Sequence, residues 1–282
     1  MTLFGWAGSL WSKMSGTRMI TPEEIEGALH LPVLAIIPHI ERRKGLAPAQ
    51  GPIMRRIDLE GRWRSRLLIH FPETAPAAAT YAALAKDLAA RSRTDRQKVW
   101  LLAAGVAGEG TSLSAMNLAI AAQRQGVKTL LIEGHTRAPR ISSVFRLELE
   151  PGLTGCLNRS INAARAIQKS SLAAVDVLPA GHSVAYPETL WATPAFHRLL
   201  AEARSLYDLV LFEGPPVLLY PDTPILADKV DGIVIVHQFG RTSPQRVEKV
   251  LEKLTDRKDH VLGILLNDVP LGVPGAALNR PM

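Results

Sequence analysis

At 282 residues the chain is long enough for one large domain or two small ones. Hydrophobic residues at 47% and charged residues at 21% exclude a globally disordered chain, and the single cysteine, Cys156, excludes an intramolecular disulfide framework and suits a reducing compartment. A net charge of +7 favours an anionic partner, whether phosphate, membrane surface or nucleic acid.

Residues 1–20 read as an arm, with Phe4, Trp6 and Trp11 ahead of Lys13 and Arg18. Two readings stand for it: an anchor at a membrane–water interface, where tryptophan and basic residues are favoured, or a frayed terminus. Its apolar stretch from Leu3 to Trp11 is about half of the roughly 20 residues a span requires. Thr21-Pro22-Glu23-Glu24 starts a helix, with a hydroxyl cap, a proline at the first helical position and acids in the first turn; that helix should end near His30. Leu31 to Pro38 is a short buried strand. Residues 41–66, rich in Arg, Pro and Gly and without periodicity, read as a mobile basic linker; its Arg55, Arg56, Arg62, Arg64 and Arg66 suit either an anionic lipid surface or plain solvation. Ala77 to Arg91 is Ala/Leu-rich and helical.

From Val99 onward, strand and helix patterns alternate. Strands are expected at Val99–Ala104, Thr129–Ile132, Val175–Leu178, Leu209–Phe212, Gly232–His237 and Val261–Leu266, with helices near 112–125, 188–205 and 243–255. The fold class this predicts is α/β: a doubly wound, mostly parallel sheet with helices on both faces. The first of these strands runs into Gly105-Val106-Ala107-Gly108-Glu109-Gly110-Thr111-Ser112, and a helix follows. Strand, glycine loop and helix together make a phosphate cradle: backbone N–H groups turn inward and the helix N-terminus adds partial positive charge. The loop fits G-x-x-x-x-G-K-[ST] at every fixed position except that Thr111 stands where the lysine should be. The chain thus divides into an arm at 1–20, a linker and N-terminal helix region at 21–94, a P-loop domain at 95–270 and an irregular tail at 271–282.

In a doubly wound sheet, ligands sit at the carboxyl ends of the strands. Two further strand ends therefore face the loop: Glu133-Gly134-His135-Thr136-Arg137-Ala138-Pro139 and Glu213-Gly214-Pro215-Pro216. With these motifs the chain resembles the cytoplasmic domain of bacterial tyrosine kinases (BY-kinases), the MinD/ParA-like P-loop proteins that work with polysaccharide co-polymerases. The family reads P-G-E-G-K-S-T in the loop, L-L-I-D-A-D-L-R-R-P after the second strand and Y-D-x-V-I-I-D-T-P-P on the third. Here the corresponding stretches are Ala107 to Leu113, Leu130 to Pro139 and Tyr207 to Pro216. Thr21 to Pro38, Pro187-Glu188-Thr189-Leu190, Val230-Asp231-Gly232 and Leu266-Asn267 extend the match.

The resemblance implies a nucleotide site at Gly105, Gly108, Glu109, Gly110, Thr111, Ser112, Arg137 and Asn267, with Asn267 in the place of a residue that reads adenine, although it also suits a turn cap. Magnesium, if bound, would fall to Ser112, Glu133 and Glu213. The departures cluster at the chemistry. The loop lysine is Thr111, the two aspartates after the second strand are Glu133 and His135, the Walker-B-like aspartate is Glu213, and the second arginine of a pair is Ala138. The ring-building motif E-x-x-R-x-x-R falls on Ala79, Ala82 and Ala85, which argues against a ring-type homo-oligomer, and no tyrosine follows Tyr220. Glu133, His135 and Glu213 also have the composition of a transition-metal site.

The resemblance therefore implies a degenerate member of the family, a regulator or scaffold of exopolysaccharide synthesis and export at the inner face of the inner membrane. Its expected partner is an inner-membrane co-polymerase or the synthesis machinery, with an anionic membrane surface as a further contact. ATP or ADP and magnesium are expected to bind weakly and not to be required. Two rivals remain: an active ATPase or tyrosine kinase using non-standard residues, and a positioning ATPase acting on membrane or DNA. The missing lysine counts against the latter and its nucleic-acid partner.

Overall fold

The computed structural model describes residues 21–41, 62–158, 161–241, 243–254, 259–271 and 273. The expected arm at 1–20, Arg55 and Arg56 of the basic linker, and most of the tail at 271–282 lie outside the described residues.

The chain opens with helix α1 (Pro22–Leu29). Thr21 Oγ accepts the Glu24 amide at 3.2 Å while the Glu24 carboxylate accepts the Thr21 amide at 3.2 Å, the reciprocal cap that the sequence predicts. Strand β1 (Val33–Pro38) follows, then helix α2 (Pro76–Thr94), strand β2 (Val99–Ala103) and helix α3 (Thr111–Arg124). Strand β3 (Thr129–Glu133) leads to three short helices, α4 (Ile141–Phe145), α5 (Leu153–Asn158) and α6 (Ala163–Ala166). Strands β4 (Gln168–Lys169) and β5 (Asp176–Leu178) precede helix α7 (Pro194–Leu206) and strand β6 (Leu209–Glu213). Helix α8 (Asp222–Ala227), strand β7 (Gly232–Gln238), helix α9 (Pro244–Lys253) and strand β8 (Val261–Val269) complete the order.

These strands form one eight-stranded sheet in the order β1-β8-β7-β2-β6-β3-β5-β4, parallel throughout except for the β4–β5 pair. The central strand β2 is buried at every position, as a strand covered on both faces must be. Its side chains alternate between two cores. Val99, Leu101 and Ala103 pack with Ile25 of α1, Phe196 of α7 and Val247 of α9, whereas Trp100 and Leu102 pack with Leu84 of α2, Met116 of α3 and Phe145 of α4. Helices thus cover both faces, and the α/β, mostly parallel class holds.

Four details differ from the sequence. Residues 31–38, expected as a short buried strand in the region ahead of the P-loop domain, supply β1, which pairs in parallel with β8 and makes the sheet's edge. The last strand runs three residues past Leu266 because β1 and β7 continue its ladder: Gln238 pairs with Asn267 and Pro38 with Val269. Helix α7 starts at Pro194 behind the cap Thr193, whose hydroxyl accepts the Phe196 amide at 3.3 Å; 187–189 form a separate 3-10 turn. Finally, the basic linker does not reach residue 66. Residues 62–64 form a helical turn and Leu68–His70 a 3-10 turn, with Leu67 and Leu68 buried against α3.

Candidate functional site

The glycine loop connects β2 to α3. Gly108 (φ 91°) and Gly110 (φ 99°) adopt the left-handed backbone that side-chain-bearing residues avoid, which turns the loop around a hollow. Gly110 is further constrained by space, since a Cβ there would lie 2.1 Å from Asn267 Nδ2. That same Nδ2 donates to the Glu109 carbonyl at 3.1 Å, so Asn267 clamps the loop from the end of β8. Glu109 turns back inside the loop and accepts the Val106 amide at 3.0 Å. Thr111 opens α3 and lines the cleft beneath.

Beside the loop, Ser112 Oγ donates to Glu213 Oε1 at 2.6 Å, and the His135 amide donates to Glu213 Oε2 at 3.2 Å. Burial pushes the Glu213 carboxyl up to about 8; the Ser112 hydrogen bond opposes that rise and the nearby Glu133 carboxylate adds to it. At neutral pH the carboxyl therefore carries its proton much of the time. Glu133 is its register partner on β3 and is fully buried. Its Oε1 accepts the amides of Arg140 (2.6 Å), Ile141 (2.5 Å) and Ser142 (3.3 Å), and its Oε2 accepts that of Ala180 (3.1 Å). Glu133 is thus the anion that satisfies the amino end of α4, and it does not line the cleft.

The remaining expected residues divide in the same way. Arg137 is spent on structure: its guanidinium pairs with Asp222 at 2.7 Å and Glu188 at 2.6 Å, and lies 4.5 Å from the Tyr220 ring centroid. Asp222 also accepts Trp191 Nε1 at 3.0 Å. Arg137, Glu188 and Asp222 come from three separate stretches, and their meeting gives each a structural role. His135 does face the cleft. Burial, reinforced by the Arg137 charge, holds its imidazole below the usual histidine range, and among the described residues its buried Nδ1 has no hydrogen-bond partner. Of the positions aligned with the ring motif, Ala85 is fully buried in the α2–α3 core, where a charged side chain has no room.

The cleft encloses about 510 Å³ at the carboxyl ends of the central strands. Its wall includes residues that sequence reasoning assigned to the linker: Arg62, Trp63 and Arg66, joined by Arg140 and Arg241. Asn117, fully buried on α3, brings the linker residues there. Its Oδ1 accepts the Leu68 amide at 3.0 Å and its Nδ2 donates to the Arg66 carbonyl at 3.3 Å, while Arg124 donates to the Leu68 carbonyl at 2.7 Å. No local sequence signal marks this docking, because Asn117 stands in an apolar helix some fifty residues downstream.

The loop fits a phosphate: its glycines hold the cradle open, and four guanidinium-bearing side chains line the surrounding wall. For magnesium the oxygen ligands at the cleft are Ser112 Oγ and a Glu213 carboxyl hydrogen-bonded to each other, while Glu133 is taken up by four backbone amides and does not line the cleft. Among the described residues, no group of three or more His, Cys, Asp or Glu side chains is arranged to hold a metal ion.

No protein-family model matches the chain. The tyrosine-protein kinase YwqD of Bacillus subtilis is 36% identical over 174 residues, which cover 61% of this chain and 73% of that protein. The chain belongs to the bacterial tyrosine-protein kinase family. Solved structures agree in fold. The kinase domain of the Escherichia coli tyrosine kinase ETK superimposes with a TM-score of 0.76 at 21% identity, over 93% of this chain and 98% of that domain. The cell division ATPase MinD of Pyrococcus furiosus superimposes with a TM-score of 0.52 at 20% identity, over 66% of this chain and 81% of that one. This tyrosine-kinase-family chain therefore shares the MinD-like P-loop fold. Among its described residues, no helix is long and apolar enough to cross a membrane.

Proposed function

We propose that this chain is a catalytically degenerate member of its family. It acts as a regulatory or scaffolding component of exopolysaccharide synthesis and export, beside an inner-membrane co-polymerase at the cytoplasmic face, and its cleft binds ATP or ADP weakly with little or no turnover. One observation carries the reading: Thr111 occupies the lysine position at the start of α3 while the loop backbone keeps the shape of a phosphate cradle. Losing a charged hydrogen bond removes roughly 1.5–3 kcal/mol, about ten- to hundredfold in affinity. Losing a stabiliser of transition-state charge costs on the order of 10²–10³ in rate. Glu133, held by four backbone amides, and His135, in place of an aspartate, compound the second loss far more than the first.

When nucleotide is bound, the amides of 108–112 would hold its phosphates and the Ser112 hydroxyl would face any accompanying magnesium. Calorimetric titration with ADP and ATP, on the wild type and on Thr111→Lys, tests the reading; the expected outcome is weak wild-type binding that the lysine strengthens. ATP turnover by the wild type that Ser112→Ala abolishes would defeat it. A second reading, an active ATPase or tyrosine kinase, is favoured by the guanidinium groups around the cleft, and that same turnover assay decides for it. The positioning-ATPase reading needs nucleotide-driven association with DNA or membrane, which steeply salt-dependent DNA binding would support.

A further inference from the structure

Thr111 leaves the cradle without its own cation, yet the cleft is not short of positive charge. Arg241 follows β7 at the cleft's rim, and its Nη1 lies 3.8 Å from where a Cβ on Gly108 would sit. The guanidinium is therefore poised over the middle of the loop, at a glycine with no side chain to exclude it. A chain of hydrogen bonds steadies it: Arg241 Nη1 donates to Gln238 Oε1 at 3.0 Å, Gln238 Nε2 donates to Asp268 Oδ2 at 2.9 Å, and Asp268 Oδ1 meets His39 Nδ1 at 2.6 Å. Among the described residues, Arg241 meets no carboxylate at ion-pair distance, unlike Arg137 with its two. On the cleft wall, Arg66 has a buried Nε with no hydrogen-bond partner among the described residues, and Asn117 anchors its backbone. A buried guanidinium nitrogen without an acceptor is costly, and because Arg66 lines the cleft, an anion held there would offset the charge of that guanidinium.

We infer that Arg241 and Arg66 supply, from outside the loop, the cationic contact that residue 111 no longer makes, so that the diphosphate of a small anion is held between two guanidinium groups and the loop amides. This rests on the reading of the loop as a retained phosphate cradle. It assigns to Arg66 a role in the cleft in place of the lipid contact or simple solvation that its composition suggests. A planar guanidinium suits such a ligand, because its N–H pairs match adjacent phosphate oxygens.

The test is calorimetric titration of the full chain with ADP and with inorganic pyrophosphate, in the wild type, Arg241→Gln, Arg66→Gln and the double variant Thr111→Lys/Arg241→Gln. Each single substitution should weaken both ligands about tenfold, and the added lysine should recover the loss in the Arg241→Gln background. If Arg66→Gln melts early, Arg66→Met keeps the apolar stem and takes its place. Loss confined to ADP would assign the arginines to the nucleoside and overturn the diphosphate contact. Wild-type chain that binds neither ligand overturns the cradle reading, and this inference with it. Wild-type chain that binds both, with affinity unmoved by substitution of a given arginine, overturns that arginine's assignment alone.

Discussion

Glu133 and Glu213 stand opposite each other at the ends of adjacent strands, both buried, both one methylene longer than the aspartate the family resemblance leads one to expect. Their surroundings divide them. Glu133 receives four backbone amides and holds the start of α4 in place, whereas Glu213 receives one hydroxyl and one amide and lines the cleft. The first carboxyl is consumed by the fold; the second remains open to the site, and burial opposes its ionisation. Sequence position alone gives both the same task, and only the count of donors aimed at each carboxylate tells them apart.

Removing Glu133 should have the largest effect. Glu133→Ala strands four amides, three of them buried and each of those worth about 1–3 kcal/mol before relaxation, so an overall loss on the order of 4 kcal/mol is expected in urea unfolding. A loss below about 1 kcal/mol would mean that the amides find other partners and that the contrast is overstated. Arg137 extends the comparison to a cation, because it too is spent on structure. Arg137→Ala leaves Asp222, whose side chain is 1% exposed, without its guanidinium, for an expected loss of about 3 kcal/mol. Asp222→Asn in that background should recover part of the loss, and a double-mutant cycle reads the coupling.

Glu213 should behave differently. Its folded-state carboxyl titrates near 8 and its ordinary value is 4.5, so between these the native state holds a proton that the unfolded state has released. Stability should therefore fall as pH rises from about 4.5 to about 8, and Glu213→Gln should flatten that decline. Wild-type and Glu213→Gln profiles that run parallel across this window would show that Glu213 is as well solvated as any surface acid. Smallest of all, Ser112→Ala removes one hydrogen bond to Glu213 and should cost about 1 kcal/mol in a thermal or urea melt.

The sheet and the loop were legible because their signals are local. An apolar run, glycines with a fixed spacing and a helix start lie within about fifteen residues of Val99, and short-range sterics and backbone hydrogen bonding decide their form. The same holds for α1, whose cap and partner stand three residues apart. What the sequence could not convey is which distant groups converge. Glu133 caps a helix from the end of a strand and borrows the Ala180 amide from another segment, so no Ser-x-x-Glu pattern announces it. Arg62, Trp63 and Arg66 sit in a stretch without periodicity, and their place at the cleft depends on one buried asparagine of α3. Arg137 and Glu188 were each recognisable as family positions, but their meeting with each other and with Asp222 is a property of three dimensions.

Asn117 has a mechanical implication. By gripping the backbone on either side of Leu67, it welds the cleft's basic rim to the helix that the glycine loop opens. Basic wall and phosphate-binding floor therefore share one support, and a substitution that loosened Asn117 would disturb both at once.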